Sequence, residues 1–105
     1  MPKDDELSLY QYSSLSSLTG RYLKRQRRNN CLSGKALAKL MNLSQQQISR
    51  YERGMTQFNL DTLFQFFYVL NIPTQEKLFY FELVTTWHEE KHAQKQIHVH
   101  NNFMY

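Results

Sequence analysis

The run from Ser44 to Gly54 (Ser-Gln-Gln-Gln-Ile-Ser-Arg-Tyr-Glu-Arg-Gly) marks both ends of a helix by itself. Ser44 is an N-cap, because its hydroxyl takes an orphan amide of the first turn. Gln47, three residues on, completes a capping box. Gly54 closes the element, since a left-handed residue past a helix end is tolerated best without a Cβ. Ile48 and Tyr51, with Gln47 beside them, share one face by i, i+3, i+4 spacing. Gln45, Gln46, Ser49, Arg50 and Arg53 take the other faces. A helix of glutamines and arginines with almost no acid suits hydrogen bonding to base edges, Gln pairing bidentately with adenine and Arg with guanine. The ordinary alternative is a solvated polar face.

The charge distribution favours the first reading. From Arg21 to Arg53 stand nine basic residues and one acid, Glu52, a net +8. The rest of the chain nets −4, which gives +4 overall. Such a dipolar chain turns one half toward a polyanion. A membrane surface is the competing anion, but the basic residues do not lie opposite an insertable apolar face. No apolar run approaches the roughly 20 residues of a membrane span. The acidic N-terminus lacks the apolar region of a signal peptide. Cys31 is the single cysteine, so a disulfide framework and a cysteine zinc site are both excluded, and a reducing cytoplasm is the expected compartment.

Only three Gly and two Pro in 105 residues argue for helices over a turn-rich β fold. The expected architecture is all-α, with five helices. Residues 1–13 form an N-terminal extension anchored only by Leu7, Leu9, Tyr10 and Tyr12, either disordered or folded onto a partner subunit. The first helix starts between Ser13 and Ser17 and runs to about Asn29, with Leu15, Leu18, Tyr22 and Leu23 inward. Ser33 caps a second, Gly34 to Met41, with Leu37, Ala38 and Met41 inward. Asn42 accepts positive φ, Leu43 is buried in the turn, and Ser44 opens the third. Two short helices on a tight turn, the second polar and basic, describe a helix-turn-helix. Asn59 caps a fourth helix, Leu60 to Leu70, with Leu60, Leu63, Phe64, Phe67 and Leu70 inward and Phe66 and Tyr68 beside that stripe. Asn71-Ile72-Pro73 ends it. Thr74 caps a fifth helix to about residue 96, although 79–87 also fits a strand. Residues 97–105 read as a tail. The DNA-binding domain is then 14–73, with 74–96 as a C-terminal dimerisation helix.

These residues together resemble the helix-turn-helix family of phage repressors and Cro proteins, the XRE-type regulators, over about Leu18 to Pro73. The likeness rests on Leu23 and Arg27, on Leu32-Ser33 and Leu37-Ala38, on Leu43-Ser44, and on Ile48, Tyr51, Glu52, Arg53 and Gly54. It implies a partly buried pair between Arg27 and Glu52, and the position of Glu52 as the lone acid among nine bases agrees. One departure is Gly34, where many members carry a glutamine that touches a phosphate and braces the recognition helix. The Gly34 amide can still meet a phosphate, with Lys35 supplying charge. Within the family, the run from Ser44 to Glu52 is similar to the MrpJ-like regulators of enterobacterial fimbrial operons. That likeness implies a transcription regulator that represses flagellar genes when fimbriae are made.

The expected base contacts are Gln45, Gln46 and Arg50, with Gln47 and Ser49 helping. The expected phosphate contacts are Arg25, Arg28, Gly34, Lys35, Lys39 and Arg53. One short recognition helix reads few base pairs, so a homodimer is expected on half-sites about 34 Å apart. The surplus apolar residues Leu78, Phe79, Phe81, Leu83, Val84 and Trp87 are its candidate interface, unless they close the domain's own core. His88-Glu-Glu-Lys-His92 fits the zinc-protease pattern, but a third ligand is not evident, and chance explains a five-residue match in a charged helix. His98 and His100 invite at most adventitious metal. The chain is thus expected to be a non-enzymatic regulator of double-stranded DNA, with no cofactor, no metal and no small-molecule substrate. The alternative is an antitoxin-like or adaptor protein acting through a protein partner.

Overall fold

The computed structural model describes residues 11–103, with side chains described through residue 93. It holds five helices, α1 (Leu15–Asn29), α2 (Gly34–Met41), α3 (Gln45–Glu52), α4 (Leu60–Val69) and α5 (Thr74–Phe103), and no strand among the described residues. The anchors Leu7, Leu9 and Tyr10 lie outside the described residues.

Local chemistry sets the helix starts. Ser14, Ser33 and Ser44 each accept an amide three residues on, all at 3.0 Å. Asn59 does the same for Thr62 at 2.7 Å. At Ser44 the box is complete, because its own N–H donates to Gln47 Oε1 at 2.8 Å. The ends of α1 to α4 share one device. Cys31, Asn42, Gly54 and Asn71 hold positive φ of 57°, 57°, 74° and 52°. The next residue in each case (Leu32, Leu43, Met55, Ile72) sends its N–H back to a carbonyl five positions earlier, at 2.9–3.1 Å. This is the Schellman closure, used four times in succession. It turns the chain sharply enough to stack short helices.

Leu18, Leu23, Leu37, Ala38, Ile48 and Phe66 fill the centre, so α1, α2 and α3 meet on α4. The inward row of α4 is Leu63, Phe66, Phe67 and Leu70. Leu60 and Phe64, expected inward, are 73% and 48% exposed. The helix is apolar around a wide arc, so spacing alone left its orientation open. Phe66 decides it by packing against Tyr51 and Phe58, with ring centroids 5.5 and 5.7 Å away.

The fifth element is helical through 79–87, and it continues to Phe103, past the expected end near residue 96. Residues 97–103 contain no Gly or Pro, so the loss of apolar period there does not stop the helix. It starts at Thr74 as a helical residue rather than as its cap, and the Pro73 carbonyl accepts the Lys77 N–H at 3.0 Å. Its inward row is Tyr80, Val84 and Trp87. The Trp87 indole N–H donates to the Tyr12 carbonyl at 3.1 Å, and Thr19 and Tyr80 join hydroxyls at 2.6 Å in the interior. Trp87 is buried and Val84 packs on the core. Both therefore leave the candidate dimer interface and close the domain, as i, i+4, i+7 spacing from Tyr80 requires.

Tyr22 docks beside Tyr80, ring centroids 4.9 Å apart, and donates its hydroxyl to the Glu76 carbonyl at 3.1 Å. Burial, with the Glu76 charge and Tyr80 adding to it, pushes its pKa up to about 12 from 10.0. A phenol held neutral in the fold but free to ionise when unfolded stabilises fully below pH 10. That contribution is lost as pH rises toward 12. Thermal melting should fall across that window, and Tyr22→Phe should flatten the fall. Equal slopes in the two proteins would refute the assignment.

Candidate nucleic-acid interface

The third helix is held from three sides. Ile48 is buried in the core. Tyr51 packs its ring on Phe58, centroids 4.8 Å apart. On the α1 side, Arg27 grips Glu52 through two bonds, Nε to Oε2 at 2.6 Å and Nη2 to Oε1 at 3.0 Å. The third donor of Arg27, Nη1, reaches the Leu32 carbonyl at 2.8 Å. One guanidinium thus ties the end of α1, the link into α2 and the last turn of α3. Its side chain is 11% exposed and that of Glu52 is 7% exposed, so the pair is shielded from water. The hydrogen bonds that Arg27 donates to Glu52 raise its already high pKa, and its charge is permanent.

Gly20 is the feature that the sequence reading passed over. It lies in the middle of α1, where a Cβ would run into the carbonyl oxygens of Tyr51 and Glu52, the second at 2.7 Å. The missing side chain lets α1 ride directly on the main chain at the end of α3. A glycine inside a helix costs about 1 kcal/mol against alanine, and that cost was the available signal.

With Ile48, Tyr51 and Glu52 turned inward, the other residues of α3 face out. Gln45, Gln46, Arg50 and Arg53 are exposed, and Ser49 is half-buried. Gln47 is exposed too, but its carbonyl oxygen is committed to the cap, which leaves its amide group as donor. The start of α2 lies beside the start of α3, since a Cβ at Gly34 would stand 3.9 Å from Gln45 Cγ. Lys35 and Lys39 are exposed on α2. Arg53 extends the cationic edge beyond α3, with Nε donating to the Ser49 carbonyl at 3.3 Å.

Arg25 and Arg28 are placed differently. With Arg21, Lys24 and Asn29 they line a surface hollow of about 220 Å³ on α1. Gly20, Lys24 and Arg27 mark the line of α1 toward α3 by i, i+4, i+7 spacing. Arg25, five residues on from Gly20, falls off that line.

The sequence model of the helix-turn-helix family matches residues 23–77, just over half the chain. The chain belongs to this family. The match takes in α2, α3 and α4 whole, so it rests on the elements that build the exposed polar face. This helix-turn-helix protein is a DNA-binding transcriptional regulator, with a fold of the Cro and XRE type. Comparison with curated proteins and with solved structures returns no match.

Other constellations are weaker. The rings of His88 and His92 stack at 4.0 Å, and His92 Nδ1 lies 3.0 Å from the His88 carbonyl. Among the described residues, no group of three or more His, Cys, Asp or Glu side chains converges as a metal site. His98 and His100 fall outside the residues whose side chains are described. No helix among the described residues is long and apolar enough to cross a membrane.

Proposed function

We propose that this regulator is a sequence-specific repressor that lays α3 in the major groove. Gln45, Gln46 and Arg50 reach base edges, with Ser49 and the free amide of Gln47 assisting. Gly34, Lys35, Lys39 and Arg53 hold phosphates on either side, and Arg28 and Arg25 add long-range attraction from α1. The observation that carries this is the orientation of α3: every inward side chain is engaged, and every outward one is a hydrogen-bonding or cationic group. Phosphate positions and base specifies, and the two sets of residues here divide in that way.

The functional unit is a homodimer. Three of the sequence-selected interface residues, Leu78, Phe79 and Phe81, are 60%, 50% and 38% exposed, and Leu83 is half-buried. On α4, Leu60, Phe64 and Tyr68 form an outward row four residues apart. Phe64 meets Phe81 with centroids 6.4 Å apart, which carries the apolar surface from one helix to the next. Apolar patches beyond a few hundred Å² on a soluble protein mark an interface. The likeness of Ser44–Glu52 to fimbrial-operon regulators supports flagellar genes as the repressed set, and a cytoplasmic, nucleoid-bound protein.

Selection of DNA sequences followed by footprinting, at low and moderate salt, tests this. The native protein should protect two half-sites about 34 Å apart. Arg50→Ala should relax base choice at one position and lose about 1–3 kcal/mol. Lys39→Ala should weaken all sequences alike and reduce the salt slope by about one. An unchanged footprint for Arg50→Ala would overturn the α3 assignment, and indifference to DNA would favour the adaptor reading.

A further inference from the structure

A second concave surface lies away from the polar face of α3. The start of α1, the segment before α4 and the inner side of α5 border an open cleft of about 500 Å³. Phe58, Leu63, Tyr80, Val84 and Trp87 form its apolar wall. Ser13, Ser16 and Gln57 supply hydroxyls and an amide around it, and the buried Thr19 hydroxyl beneath is bonded to Tyr80. No Lys, Arg, His, Asp or Glu side chain lines it. We infer that this cleft binds a small neutral aromatic amphiphile, a ring carrying a hydroxyl or similar hydrogen-bonding group.

The chemistry selects that class. Ligand sites run from roughly 300 to 1,000 Å³ and combine an apolar lining with a few polar groups. The aromatic wall suits a ring packed edge-to-face or offset. The hydroxyl fringe both donates and accepts, so it serves an alcohol or phenol. A charged ligand would lose water without meeting an opposite charge, which is unfavourable. The cleft also touches the DNA-reading element through one ring, because Phe58 lines it and packs against Tyr51 of α3. An occupant therefore presses on the segment that sets the last turn of α3.

The inference is independent of the DNA reading and is tested without DNA. The chain's single tryptophan, Trp87, is part of the wall, so its fluorescence reports occupancy directly. Benzyl alcohol is the probe, and benzoate is the charged counterpart with the same ring. Benzyl alcohol should give a saturable change in Trp87 emission with millimolar affinity, and benzoate should bind about tenfold more weakly or worse. Gln57→Phe, at an exposed position, should place a ring across the mouth and abolish saturation while leaving thermal melting unchanged. Should that variant melt early, amide shifts of the native protein decide instead: changes centred on Ser16, Thr19, Phe58 and Val84 support the site. Non-saturating emission, benzoate binding equal to benzyl alcohol, unaltered binding by a folded Gln57→Phe, or shifts centred elsewhere would each overturn it.

Discussion

Glu52→Ala should cost about 3–5 kcal/mol of stability, the range for removing one partner of a buried ion pair. For a domain of this size that is a fall in melting temperature beyond about 12 °C. The loss comes less from a missing attraction than from what remains. Arg27 would keep a full charge at 11% side-chain exposure with only the Leu32 carbonyl to receive it. Two of its three hydrogen bonds would be gone. The same argument makes a double replacement informative. Arg27→Met with Glu52→Leu removes both charges and keeps apolar volume, so most of the stability should return. DNA affinity should not return with it, because the bonds that fix the last turn of α3 against α1 are absent. A Glu52→Ala protein that melts within a few degrees of the native one would show that water reaches the pair, and its rigidifying role would fail.

Much of this architecture was legible because its causes are local. The caps at Ser33, Ser44 and Asn59 and the left-handed residues Asn42 and Gly54 act within four or five residues of themselves. Their chemistry determines boundaries whatever the rest of the chain does. The outward set Gln45, Gln46, Arg50 and Arg53 followed from Ile48 and Tyr51 being apolar at helical spacing. Where causes are tertiary, the pattern fell silent. In α4 apolar residues run around most of the circumference, and the contact of Phe66 with Tyr51 and Phe58, which no period encodes, selects the inward row. In α5 the crowded residues 78–87 serve two purposes. Tyr80, Val84 and Trp87 close the core while Leu78, Phe79 and Phe81 stay outside, and a count of apolar residues cannot apportion them.

Gly20→Ala should destabilise the protein by about 2 kcal/mol or more, although alanine is the better helix former. The propensity gain is at most about 1 kcal/mol. Against it stands a Cβ forced onto the Tyr51 and Glu52 carbonyls, with the Glu52 carbonyl carbon at 2.9 Å as well. These are main-chain atoms, so no rotamer change relieves the overlap, and α1 and α3 must move apart. Overpacking of this kind costs about 1–3 kcal/mol, and more where the obstacle is rigid. Separation also pulls on the two bonds between Arg27 and Glu52, so the substitution should weaken DNA binding beyond what lost stability alone explains. Gly34→Ala is the matched control. Its Cβ would meet only Gln45 Cγ, at 3.9 Å, so it should be neutral or stabilising by up to about 1 kcal/mol. Urea denaturation of the two variants separates the explanations. Were Gly20→Ala to gain stability as Gly34→Ala does, the close approach of α1 to the end of α3 would be wrong, and with it the reason α3 is held at a fixed angle.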